Sequence, residues 1–254
     1  MFNSLKILYH QGKQFIPNVE TVEVPGIFRG RPVISHEMVD EEALVSCCPT
    51  NAIAANPVSI DLGKCLFCGE CAKKFPLKVK FTKDFKMATN HRDDLIIAEG
   101  IDTPIRLRKE RIRPEIRSLF NRSLKLRQVS AGGDNSNEWE LNASNNVQFD
   151  ISRYGIEFVA SPRHADGIVV TGPITRNMAE ALRIAYEATP EPKLLILAGC
   201  DAISGGLYVD SPEVDRSFLD EVVVDLFIPG NPVHPLEFIN ALIDLTGVSQ
   251  REKE

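Results

Sequence analysis

Of the six cysteines in this 254-residue chain, five stand between positions 47 and 71: Cys47, Cys48, Cys65, Cys68 and Cys71. The sixth, Cys200, stands alone. Thiols gathered this closely either pair as disulfides or ligate metal. The opening MFNSLKILYHQGKQF lacks the long apolar stretch and the small-residue cleavage site of an export signal. No run of about 18 apolar residues follows, so no stretch reads as a bilayer span. A cytoplasmic chain has little use for disulfides, which leaves metal ligation as the expectation. Four thiolates suit zinc as well as iron, but structural zinc sites mostly use two separated C-x2-C knuckles. The stretch KCLFCGECAKKFP (64–76) instead sets three cysteines at C-x2-C-x2-C, the spacing of a cuboidal iron–sulfur cluster.

That stretch resembles one arm of a two-cluster bacterial ferredoxin. There the residue before the closing proline is a fourth cysteine, which ligates the cluster of the other arm. Phe75 stands in that place here. Because fourth ligands are exchanged between arms, Phe75 is no loss to the cluster of Cys65, Cys68 and Cys71. Their partner is expected from HEMVDEEALVSCCP, which ends in Cys48-Pro49. Counting back from Cys48, the other cluster's places fall on Leu44, Glu41 and Met38. One ligand set is therefore whole (Cys48, Cys65, Cys68 and Cys71, for one 4Fe–4S cluster), and the other (Met38, Glu41, Leu44 and Phe75) is lost entirely. Leu44 and Phe75 are expected to pack where the lost cluster would sit, with Cys47 a packed thiol. Backbone amides of residues 66–72 are expected to hydrogen-bond the sulfurs.

The elements that must position these residues fall into two textures. Residues 31–85 hold short β-like runs, VSIDL (58–62) and VKFTKDF (79–85). The basic segment RLRKERIRPEIRSLF (106–120) reads as a solvated linker or helix start, or alternatively as a docking strip for an acidic partner. From about residue 125 strands alternate with helices: strand 165–173, a helix over 176–188 capped by Thr175, strand 193–201, strand 222–230, and a helix over 235–247 closed by Gly247. Such alternation implies parallel βαβ units. The chemistry of such a sheet sits past its strand C-termini, here residues 171–175, 200–206 and 229–235. No phosphate-binding glycine motif occurs, so no nucleotide site is read. A net charge of −6 argues against nucleic acid as a partner.

Within residues 118–247, the blocks SPRHAD, VTGPIT, ISGGLY and IPGNPVHP stand in this order. They resemble the small electron-transfer subunit of energy-converting NiFe hydrogenases and its relative in complex I, the B subunit of NADH-quinone oxidoreductase. The first part, with its DFKMATNHRDDLII tail, is similar to the ferredoxin-like subunit of the same complexes. The resemblance implies an α/β fold class with a small α+β ferredoxin-like domain (1–100), a basic linker (101–121) and a flavodoxin-like parallel sheet (122–254). It implies a terminal-cluster site whose cysteine places fall at Asp134, Asn137, Asp201 and Asn231, none of them cysteine here. Cys200 is one residue off the third. These four are expected to converge as a polar replacement, or as oxygen ligands for a hard cation. His164 and His234 are expected to be hydrogen-bonded structural residues.

The implied function is an iron–sulfur electron-transfer subunit rather than a self-sufficient catalyst. It would be cytoplasmic and peripheral on a membrane complex, beside a large NiFe-type subunit and membrane subunits. The alternative is a non-redox adaptor whose cluster only stabilises the fold.

Overall fold

A computed structural model describes residues 2–12 and 14–248. The first half contains α1 (Phe2–Gln11), β1 (Pro32–Ile34), α2 (Glu41–Ser46), β2 (Ile53–Ala54), β3 (Ser59–Asp61), α3 (Glu70–Lys74), β4 (Val79–Phe81) and β5 (Ile96–Ala98). Then follow α4 (Pro114–Phe120), β6 (Leu124–Ser130), α5 (Ser136–Ala143), β7 (Ile156–Phe158), β8 (Gly167–Thr171) and α6 (Arg176–Ala188). The chain closes with β9 (Leu194–Ala198), α7 (Cys200–Ser204), α8 (Phe218–Glu221), β10 (Leu226–Ile228) and α9 (Pro235–Thr246).

The second half builds a five-stranded parallel sheet in the order β10-β9-β8-β6-β7. Read from the β7 edge and numbered along this half of the chain, that order is 2-1-3-4-5, the doubly wound arrangement of a flavodoxin-like fold. β8 and β9 are buried at every residue, as a sheet covered on both faces requires. Side chains alternate between the faces. Val169, Leu194 and Ile196 join one apolar cluster with Ile116 and Phe120 of α4 and the buried stripe of α9. Ile168, Val170, Leu195 and Leu197 join the other, with Leu182 of α6 and with Leu44, Ile53, Ile60 and Cys65 from the cysteine-bearing half. That half therefore packs onto one face of the sheet through a continuous core. Its own strands form two short antiparallel sheets, β1-β4 and β2-β3-β5.

The helix expected over 176–188 forms with those limits, and α9 ends at Gly247 in the left-handed conformation (φ 74°). Three expectations need correction. Thr175 holds the N-cap position of α6, but its side chain makes no capping bond. The strand expected over 222–230 shortens to Leu226–Ile228, with Val223 79% exposed before it. The strand expected over 193–201 stops at Ala198, because Gly199 at φ 95° turns the chain into α7. After Gly133 a polar stretch winds into α5, started by Asp134 Oδ1 accepting from the N–H (2.9 Å) and Oγ (2.6 Å) of Ser136.

The basic segment is laid across the molecule rather than free. Arg108 pairs with Asp94 at 2.5 and 2.7 Å, Arg113 bonds Asp225 and the Lys193 carbonyl, and Ile112, Ile116 and Phe120 are buried.

Candidate metal centre

The cysteines are placed by short, capped elements. Asp40 caps α2 by accepting from the Ala43 N–H (3.0 Å), and Glu41 and Glu42 favour the positive end of that helix. The helix runs out at Cys47, which delivers Cys47 and Cys48 together. Cys65 and Cys68 sit in the loop between β3 and α3. There Phe67 (φ 52°) and Gly69 (φ 79°) take left-handed conformations, and Arg29 Nη1 donates to the Phe67 carbonyl at 2.9 Å. A side chain at Gly69 would meet the Arg29 guanidinium. Cys71 lies on α3.

All five cysteines line one recess, walled by Ile53, Ile60 and Phe81. Peptide N–H groups already point at the sulfurs. Phe67 donates to Cys65 Sγ and Ala52 to Cys48 Sγ, each at 3.3 Å, and the Ala72 amide serves Cys71. Two of these amides fall in the expected 66–72 window, and Ala52 lies outside it.

Burial pushes the Cys65 thiol up to about 12 and that of Cys71 up to about 11, and it raises Cys47 also. Desolvation disfavours the thiolate form of these three, and a bound metal centre would offset it. Among the described residues no three His, Cys, Asp or Glu side chains close on a single-ion point. An apolar recess with thiols on several sides and amides aimed at sulfur fits an iron–sulfur cluster. Of the lost set, Leu44 is fully buried and Phe75 half-buried in the same apolar cluster as the cysteines, whereas Met38 is 92% exposed and Glu41 stands in the first turn of α2.

The other expected site lies at the carboxyl ends of the parallel strands. Asn137 is buried and its Oδ1 accepts from the Val233 N–H (2.9 Å), two residues past Asn231. A Cβ on Gly199 would collide with Asn137, and one on Gly206 with the Asp201 carboxylate, so glycine is required at both. Asp201 is 5% exposed, and burial raises its pKa, helped by the charges of Asp134 and Glu138. The four polar replacements therefore gather at one end of the sheet. Glu138, which no sequence motif singled out, sits where the strand order reverses. Its Oε1 accepts from both Ser130 Oγ and Thr171 Oγ1 at 2.6 Å, joining β6 to β8. Only the swapped strand order brings those two hydroxyls side by side.

His234 is structural as expected: its Nδ1 accepts from the Leu236 N–H (3.2 Å), and its ring meets Phe28 and Phe149 edge-on. His164 is not. It stands exposed on a short turn, and its side chain has no hydrogen bond to a described residue.

Residues 135–245 match the family described as NADH ubiquinone oxidoreductase, 20 Kd subunit. An uncharacterized protein of Methanocaldococcus jannaschii is 38% identical over 142 residues, which is 54% of this chain and 95% of that protein. The chain belongs to this 20 kDa subunit family. Among family relatives, the probable membrane-bound hydrogenase subunit mbhJ of Pyrococcus furiosus is 35% identical over 45% of this chain and 69% of its own length. The B subunit of NADH-quinone oxidoreductase from Clostridium beijerinckii is 42% identical over 42% of this chain and 63% of its own length. The family match takes in β7 to β10 of the parallel sheet but begins after β6, and the five-cysteine recess lies outside it.

Proposed function

We propose that the chain is an iron–sulfur electron-transfer subunit of a membrane-associated complex of hydrogenase or NADH-quinone oxidoreductase type. It would hold one 4Fe–4S cluster on Cys48, Cys65, Cys68 and Cys71. The observation that carries this reading is the gathering of five cysteines, from two separate stretches of sequence, around one apolar recess. When bound, such a cluster supplies a one-electron centre whose potential responds to burial and to hydrogen bonds on its sulfurs. The amides of Ala52, Phe67 and Ala72 would favour negative charge on the ligating sulfurs. Ile53, Ile60 and Phe81 keep water from the inner side, and exposed Cys68 marks the side that partners approach.

The two small antiparallel sheets, with α2 and α3 between their strands, support residues 1–100 as a ferredoxin-like domain. Residues 101–121 then form the basic linker and 122–254 the second domain. Two relatives are named as subunits of a membrane-bound hydrogenase and of NADH-quinone oxidoreductase. By that likeness the partners are a large NiFe-type subunit and membrane subunits. No helix among the described residues is long and apolar enough to cross a membrane, in keeping with peripheral attachment.

A second reading has its own support. The sheet-end site has exchanged every expected thiol for Asp or Asn, so no second set of four thiols stands within the chain. Cys65 is built into the core that continues into the sheet. In this reading the cluster staples residues 31–85, and the protein is an adaptor.

Iron analysis and a redox titration followed by EPR test both. Four irons per chain and a reversible one-electron signal support electron transfer. A cluster that cannot be reduced without unfolding the domain supports the adaptor. One zinc per chain overturns the assignment.

A further inference from the structure

Two open clefts, lined by no cysteine, meet at the carboxyl end of α9. The first, of about 1470 Å³, lies between residues 84–86, the 104–109 strap, Arg117 of α4 and residues 243–248. The second, of about 1130 Å³, runs from Arg122 past Arg153 to the same Gly247 and Val248. Six cations line the pair: Lys86, Arg106, Lys109 and Arg117 in the first, Arg122 and Arg153 in the second.

None of the six forms an ion pair with a described residue, whereas nearby Arg31, Arg108 and Arg113 all do. Two carboxylates share the first cleft, but Asp84 is already taken by Arg31. Asp244 faces Lys86, Arg106 and Arg117, with Glu20 as a second carboxylate in range. The guanidiniums of Arg117 and Arg153 are each anchored by Nη2 on a backbone carbonyl, of Asp244 (3.3 Å) and Ile16, and each has a buried Nε with no acceptor. Buried polar groups of this kind are rarely left unsatisfied, and a guanidinium is best satisfied by an oxyanion. On a chain of net charge −6, this concentration of cations runs against the overall balance.

The rest of the lining says what the oxyanion is attached to. Ile105, Leu107, Ile243 and Val248 wall the first cleft. Leu119 stands 56% exposed on α4. Arg153 also donates to the Ile16 carbonyl (2.6 Å) and lies over the Phe15 ring, four residues after α1 ends. That helix leaves Leu5, Ile7, Leu8 and Tyr9 exposed. The walls of the first cleft belong to the core, so the uncovered apolar surface beside these cations is that of Phe15 and Leu119, and a phosphate ligand set next to it is an amphiphile.

We propose that the joined clefts bind the phosphate headgroup of an anionic phospholipid, so that this face of the subunit rests on the bilayer. The proposal is independent of the cluster assignment. It is tested by co-sedimenting the full chain with phosphatidylglycerol-containing vesicles and with phosphatidylcholine vesicles, and by titrating it with inorganic phosphate. The Arg106→Gln, Lys109→Gln double variant removes two exposed, unpaired cations and leaves the packing intact.

The chain is expected to bind the anionic vesicles only, to release them at high salt, and to bind roughly thirty-fold more weakly as the double variant at low salt. Equal binding by the double variant, or equal binding to phosphatidylcholine, overturns the proposal. Saturation by inorganic phosphate with no vesicle binding overturns the lipid as its source.

Discussion

Arg216 offers a sharp test of how the sheet-end site is held. Its Nη2 donates to the carbonyls of Ala202 (2.7 Å) and Ile203 (2.9 Å), and its Nη1 to those of Asp201 and Pro173 (3.2 Å each). Asp201 O also receives the Gly205 N–H, but the Ala202 and Ile203 carbonyls have no other hydrogen bond to a described residue. Both residues are buried at the carboxyl end of α7. Arg216→Met leaves those two carbonyls unpaired, at about 1–3 kcal/mol each. Desolvation brings the Arg216 pKa down to about 10, with the Arg92 charge adding to it, so removing the guanidinium recovers part of that loss. A net destabilisation of about 2–3 kcal/mol is expected. Urea unfolding followed by far-UV circular dichroism, at matched iron content, measures it, and Arg216→Lys should lose about half as much. A loss under about 1 kcal/mol with an unchanged m-value would refute the reasoning, because water or backbone relaxation would then be satisfying the carbonyls.

Cys48→Ser is expected to lose most of the bound iron, whereas Cys47→Ser keeps it; metal analysis of both variants that gives the opposite result reassigns the ligand. In iron-free protein near pH 8, exposed Cys68 should be alkylated first, and Cys65 and Cys71, with thiols raised to about 12 and about 11, should lag far behind, as read by mass spectrometry of timed iodoacetamide reactions. Glu237 lies buried in the first turn of α9 with no partner on Oε1, and burial, then Asp84, holds its pKa well above the ordinary carboxylate value. Its folded pKa is raised, so its stabilising contribution is whole below about 4.5 and is lost as pH rises through the folded value. Glu237→Gln should match the parent near pH 4 and exceed it at pH 8; stability curves that stay parallel across that range would contradict this.

How much of this is legible in the chain varies by element. The helix over 176–188 and its neighbouring strands can be read because one repeat pattern, local in sequence, dictates each. α5 cannot, since an Asp134 turn starts it and no apolar stripe announces it. α1 escapes for a related reason: it leaves Leu5, Ile7, Leu8 and Tyr9 exposed, so no buried stripe of these residues marks it. His164 departs from expectation because burial is not written in a residue's type.

The order and spacing of Cys65, Cys68 and Cys71, and the matching Cys48-Pro49, were determined by the sequence alone, because ligand spacing is a property of the local chain. The tertiary structure decided which distant pieces meet. It brought Cys47 and Cys48 across to the same recess, set Glu138 between strands that are neighbours only through the swapped order, and collected six unpaired cations around the end of one helix. Those meetings depend on packing between segments tens of residues apart, and no local pattern encodes them.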